Sequence, residues 1–185
     1  MLRAICLLLT LHAMASAQQP ITQLKPLYPQ TPLIRGGQAA ALIVAPREDY
    51  GPARLLNGAL AKARDIQLPV VAADDLVSGD WVVDMPRIEG RQLVAMGSIN
   101  DNRLLAVLWG AGYVVADSLY PGEDGYVVRT VHDPFATGAN VLCLNGSTEA
   151  GVTRAVEVFC GSHVTGVGED LVLPAPVLQV EFHAP

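Results

Sequence analysis

Cysteine, aromatic residues and basic charge are all scarce in this chain of 185 residues. Only three cysteines are present, Cys6, Cys143 and Cys160, too few for the disulfide framework of a small secreted scaffold. None has metal-ligand spacing to a histidine, and His132, His163 and His183 are scattered, so neither a zinc site nor a cofactor is expected. Lys and Arg number 12 against 18 Asp and Glu, a formal net charge of -6. With no basic run and no interleaving of basic with aromatic residues, nucleic acid is excluded as a partner. A polysaccharide remains compatible with that charge, because a groove can be locally basic. Neither a G-x-G-x-x-G nor a Gly-Lys-Ser/Thr phosphate cradle occurs, which leaves nucleotide binding unsupported. A G-x-S-x-G elbow is also missing, which argues against an esterase. Beyond the first residues no apolar run is long enough to cross a bilayer, so the mature chain is expected to carry no membrane anchor.

What is present is a hydrophobic chain, 51% apolar and 16% charged, enough for one domain with a true core and unlike a disordered segment. Its first residues read as a targeting segment. Arg3 supplies the positive start, Ile5 to Met14 a short apolar stretch, and Ala15-Ser16-Ala17 a small-residue cleavage site. The expectation is a signal peptide over 1–17, a mature N-terminus at Gln18, and a secreted or periplasmic protein. Residues 18–37, rich in Pro and Gln and without periodicity, read as an extended linker. The globular domain is placed at 38–182.

Three strand-to-helix units follow. Ala40 to Pro46 is a buried-strand run, and the helix after it places Leu55, Leu56, Ala59, Leu60 and Ala63 on one face, with Pro52 in its first turn. Leu68 to Leu76 reads as the next strand, completing a β-α-β unit. Gln92 to Ser98 is a strand entering a helix, with Ser98 as N-cap, Asp101 in the first turn, and Gly110 and Gly112 as the stop. Finally Tyr126 to Val131 alternates, Asn140 to Gly146 is a solid apolar run, and Ser147 or Thr148 caps a helix striped by Val152, Ala155, Val156 and Phe159. The link between those two strands is too short for a parallel crossover, so they pair antiparallel. The segment from Val77 to Gly90 reads as a loop or short edge hairpin, and Leu171 to Phe182 as an edge strand or exit linker broken by Pro174 and Pro176. The fold class is therefore α/β (α+β): a single mixed β-sheet with about three helices, built of β-α-β units plus an antiparallel strand pair. In this arrangement the strand runs on ~13 Å past Cys143 and the helix returns ~18 Å to Cys160, so both cysteines are expected to be free.

Candidates for chemistry gather at three strand ends, where Arg47, Ser98, Asn100, Asn145 and Ser147 follow apolar runs. Parallel strands would bring these to one sheet edge, where open α/β folds bind ligands; helix capping and turning also explain them. Asn145-Gly146-Ser147 is formally a glycosylation sequon, and Gly146 is expected to take a positive φ at its turn. Asp74 and Asp75 are adjacent and, on a strand, face opposite ways, so they are no acid/base pair. His132-Asp133 offers an imidazole beside a carboxylate, but the Asp-Pro step is turn chemistry and no nucleophile accompanies it. Tyr126 and Trp109 suit either sugar stacking or ordinary packing. No catalytic residue is assigned.

The segment Gly125-Tyr126-Val127-Val128-Arg129, followed by "NVLCLNGSTEAGVTRAVEVF", resembles the small N-terminal α/β domain that precedes the catalytic barrel in family 20 β-hexosaminidases and family 67 α-glucuronidases. Similar modules look to be present in heparinase-like multidomain proteins. The resemblance is carried by Gly125, Tyr126, Gly146, Ser147, Ala150, Gly151 and Ala155, and covers about 124–159 in motif and 38–182 in element order. It implies a non-catalytic accessory domain of a secreted polysaccharide-degrading enzyme, with the catalytic domain of the same polypeptide expected C-terminal to Pro185. A barrel takes ~250 residues, which the tail after the last helix does not provide, so no catalytic residue carries over. The alternatives are a stand-alone extracytoplasmic carbohydrate-binding or adhesion module, and a small hydrolase using His132 and Asp133.

Overall fold

Short apolar runs bounded by turn residues become strands in this chain, and stripes of helical period become helices, as the patterning requires. The structure, a computed structural model, describes residues 25–165 and 168–183. The expected signal peptide, its cleavage site and residues 18–24 of the expected linker lie outside the described residues. In order run β1 (Thr31–Arg35), β2 (Gln38–Ala39), β3 (Ala41–Ala45), α1 (Gly51–Arg64), β4 (Val70–Ala72), α2 (Ala73–Leu76), α3 (Met85–Ile88), β5 (Gln92–Gly97), α4 (Arg103–Gly110), β6 (Tyr126–Val131), β7 (Val141–Gly146), α5 (Glu149–Phe159), a π-helical turn (Cys160–Val164), β8 (Leu171–Leu173) and β9 (Leu178–Glu181).

The main sheet has six strands in the order β4-β3-β5-β7-β6-β9. β3 lies parallel to β4 and β5, and β5 parallel to β7; β6 runs antiparallel to both β7 and β9. The mixed α/β sheet and the antiparallel pair are thus as the sequence suggests. Alternate strand residues feed two cores. On one face Ile43, Val94, Met96 and Leu144 pack under Leu56 and Leu60 of α1 and Val156 and Phe159 of α5. On the other, Val44, Leu93, Ala95 and Cys143 pack under Leu76, Ile88, Leu104 and Leu108.

Four sequence expectations change. Residues 31–35 are not linker: Thr31, Leu33 and Ile34 are fully buried, and β1 is the middle strand of a second, three-stranded sheet, β2-β1-β8. Pro32 hides this strand from pattern reading. The ladder tolerates it because the β1–β8 register shifts between Pro32 and Ile34. The strand expected over Leu68 to Leu76 is short, and Asp74 and Asp75 open α2 instead. Ser98 does not cap a helix, because α4 starts later, capped by Asn102; Asp101 precedes that cap. The tail holds two strands, and Pro174 and Pro176 fall where the chain crosses from the small sheet to the edge of the large one. Cys143 and Cys160 are free.

Candidate functional site

Because β3, β5 and β7 are parallel neighbours, their C-terminal ends share one sheet edge. The chain leaves β3 and β7 toward α1 and α5 on one face, and β5 toward α4 on the other. Adjacent strands sending helices to opposite faces define a topological switch point.

The protein's own side chains fill much of this edge. Arg47 follows β3, and its guanidinium spans to Glu149 at the start of α5, 2.9 Å from Oε2, and to Asp49, 3.2 Å from Oδ1. Hydrogen bonding to Glu149 raises the Arg47 pKa above its ordinary value. Arg47 also lies 5.1 Å over the Tyr50 ring. Tyr50 is buried, and its hydroxyl has no partner among the described residues. Burial, then the carboxylates of Asp101 and Glu149, push its pKa well above the usual phenol range against the opposing pull of Arg47. The phenol therefore stays neutral and is not a base.

Ser98 is buried, donating its N–H (2.6 Å) and hydroxyl (3.1 Å) to Asp101 Oδ1 and accepting from the Asn100 N–H (3.2 Å). The side chain of Asn100 is exposed. Asn145 stands opposite Gly97 in register and is buried, its Nδ2 without a partner among the described residues. A buried asparagine leaves the sequon inaccessible once folded. Ser147 turns aside and accepts from the Gly122 N–H at 3.3 Å. So the edge brings together Arg47, Tyr50, Asp101 and Glu149 and joins Ser98 to Asn100, while Ser147 holds the Gly122 turn and Asn145 is buried with its amide nitrogen unpaired among the described residues.

Sequence reasoning missed Tyr50 and Asn102. Asn102 Nδ2 donates to Val44 O (3.0 Å) and Met96 O (2.8 Å), while its Oδ1 accepts from the Leu104 and Leu105 N–H groups. One side chain caps α4 and ties β3 to β5. The signal was available: an Asn two residues before the Leu104, Leu105, Leu108 stripe is a capping pattern.

The motif residues of the family resemblance form a packing node. Gly146 is the last residue of β7 and is not among the glycines with positive φ. Its need is space, because a Cβ there would sit 2.6 Å from Gly151 C and from Val152 N. A Cβ on Gly151 would in turn sit 2.5 Å from Gly125 O. Strand end, helix start and the entry to β6 thus meet backbone to backbone.

His132 and Asp133 lie at the opposite end of the sheet. His132 Nε2 accepts from the Tyr28 N–H at 2.7 Å, with the two rings stacked at 5.9 Å. Asp133 is buried, 3.2 Å from Lys25 Nζ, and accepts from the Gly138 N–H at 2.9 Å. Asn140 completes the set, donating to Tyr28 O (2.8 Å) and Thr31 Oγ1 (3.0 Å). These contacts strap residues 25–31 onto the β6–β7 link, and they hold backbone rather than a nucleophile. Tyr126 is packed into the core, whereas Trp109, at the end of α4, is exposed. No protein-family model and no curated protein matches this chain.

Proposed function

We propose that this chain is a non-catalytic accessory domain of a secreted polysaccharide-degrading enzyme, docking through β9 onto the catalytic domain of the same polypeptide. The observation that supports this reading is an uncovered apolar ridge. β9 is the last strand of the sheet, and one of its edges is unpaired among the described residues. Leu178 and Val180 share one face of it, and Phe182 follows in the same period. Leu178 is 69% exposed and Phe182 66%. Through the pairs Leu178–Arg129 and Val180–Val127, this ridge continues the sheet face that α4 covers elsewhere. The Phe182 ring meets Tyr120 edge-on at 5.5 Å, and beside Tyr120 stands Leu119, 86% exposed. A strand edge carrying adjacent exposed apolar residues is an aggregation hazard unless something covers it.

The reading frame is expected to continue past Pro185 into a catalytic domain, and the isolated domain to show no glycosidase or lyase activity. Sequencing the downstream DNA tests the first point. Hydrogen exchange of residues 177–182 in the longer polypeptide tests the second feature, the docking face. Protection that is lost on Leu178→Asp with Phe182→Asp supports docking; a stop codon directly after Pro185, or unchanged exchange, overturns it. Turnover by the isolated domain that His132→Ala abolishes would favour the hydrolase reading instead.

A further inference from the structure

A second feature lies apart from the β9 ridge, on the α4 side of the switch-point edge. There α2, the turn before α3, and the loop between β5 and α4 enclose a pocket of about 260 Å³. Its chemistry comes from Asp74, Trp81, Asn100, Asp101 and Arg103. We infer that this pocket binds one ring of a neutral sugar chain, stacked on Trp81 and hydrogen-bonded by the surrounding polar groups.

Trp81 is the leading observation. It sits at the tip of a small turn closed by the bonds of Trp81 N to Ser78 O (3.0 Å) and Ser78 N to Val82 O (2.9 Å), with Val77 bridged to Val83. Its φ is 63°, a left-handed conformation that is costly for a bulky residue. Burial does not offset that cost, because the residue is 57% exposed. A tryptophan is thus held in strained backbone at a pocket wall without serving the core.

The polar groups narrow the ligand. Arg103 Nε lies 3.1 Å from Asp74 Oδ1, which orients both side chains, and Asp101 Oδ1 is already engaged by Ser98. The Asp74 and Asp101 carboxylates accept hydrogen bonds, while the Asn100 amide and Arg103 guanidinium donate them. A pyranose matches that division: its C–H face packs on an aromatic ring, and its hydroxyl rim both donates and accepts. The pocket lies below the ~300–1,000 Å³ of a site for a drug-sized molecule, so it suits one ring of a longer chain lying across the surface. Two carboxylates against one guanidinium, in a chain of net charge -6, repel uronates and sulfated sugars. Among the described residues no group of three His, Cys, Asp or Glu side chains is placed to hold a metal ion.

Calorimetric titration of the protein with cellohexaose, mannohexaose and maltohexaose tests this, with polygalacturonate as the anionic control. Saturable binding of at least one neutral hexasaccharide is expected, weakened about tenfold or more by Trp81→Gly and measurably by Asn100→Ala. Trp81→Gly relieves the positive φ, so its melting temperature should not fall, which separates lost binding from lost folding. Trp109→Ala should bind normally. The proposal is overturned if none of the neutral hexasaccharides saturates, if Trp81→Gly still binds, if Trp109→Ala abolishes binding, or if only polygalacturonate binds. The inference stands on this pocket alone, and its failure leaves the β9 docking test untouched.

Discussion

Asn102 uses both ends of its amide, so truncation removes a helix cap and leaves two strand carbonyls without their donor. Asn102→Ala should therefore destabilise by ~2–4 kcal/mol, read as a shift in the denaturant midpoint at unchanged slope. The His163 ring packs tilted against Phe159 with centroids 5.1 Å apart, and its Nε2 is buried without a partner among the described residues. Burial lowers its pKa below the ordinary value. The unfolded chain then takes up a proton near pH ~6.5, before the folded one does. Stability is intact above that pH and declines as pH falls through it toward the folded pKa. Melting temperatures from pH 7.5 down to 5.5 should fall in the wild type, and His163→Gln should flatten that slope. The thiols are a third case. Burial pushes Cys143 to about 12 and Cys160 to about 11, so little thiolate exists at neutral pH. Both should react slowly with a thiol reagent in the native state and fully once unfolded; a reading of zero thiols after unfolding would place a disulfide where none is expected.

Among elements, the junction of β7 with α5 is the most constrained. Its two glycines let backbones touch, and the atoms a new Cβ would meet are main-chain atoms that cannot rotate away. Gly146→Val should cost at least the ~1–3 kcal/mol of an overpacked core. Asp75, on the exposed side of α2, offers a contrast: Asp75→Asn should stay within ~0.5 kcal/mol. Urea melts giving the reverse order would dissolve the packing argument. The elements also show where periodicity misleads. In α2 the Ala-Asp-Asp-Leu sequence sits directly after a β-branched run, so the pattern reads as one strand, while in space the chain turns into a helix as soon as β4 has paired with β3.

At the scale of the molecule, the N-terminal lead-in belongs to the fold. Strand β1 inserts Leu33 and Ile34 into the core shared by α1 and α5, and the Lys25, Tyr28, Asn140 and Asp133 contacts hold the stretch before it. Losing those two side chains alone corresponds to ~4–10 kcal/mol on the scale of large-to-small core changes, comparable with the whole stability of an ordinary domain. A chain beginning at Gln38 should therefore fail to show a cooperative melt, whereas one beginning at Lys25 should retain it. Cooperative unfolding of the shorter chain would mean that β1 is an ornament and the smaller sheet dispensable.

Local pattern alone encodes a good part of this fold. Apolar runs such as Ala41 to Ala45 specify buried strands, the Val152-Ala155-Val156-Phe159 stripe specifies α5, and the short link between β6 and β7 specifies their antiparallel pairing. Pattern reading put Arg47, Ser98 and Asn145 at one edge only on the condition that their strands are parallel, and the pairing of β3, β5 and β7 meets that condition. What those residues meet there depends on contacts between distant elements. The pairing of Arg47 with Glu149 joins positions 102 apart in sequence, the burial of Tyr50 depends on α5, and the pocket around Trp81 needs three separate segments in place. The same holds for β1, whose proline breaks the local pattern and whose partner, β8, lies at the far end of the chain. Local periodicity carries information about which face of an element is apolar. Contacts between distant elements are selected by packing and by pairing of buried polar groups, and these exist only after the sheet has formed.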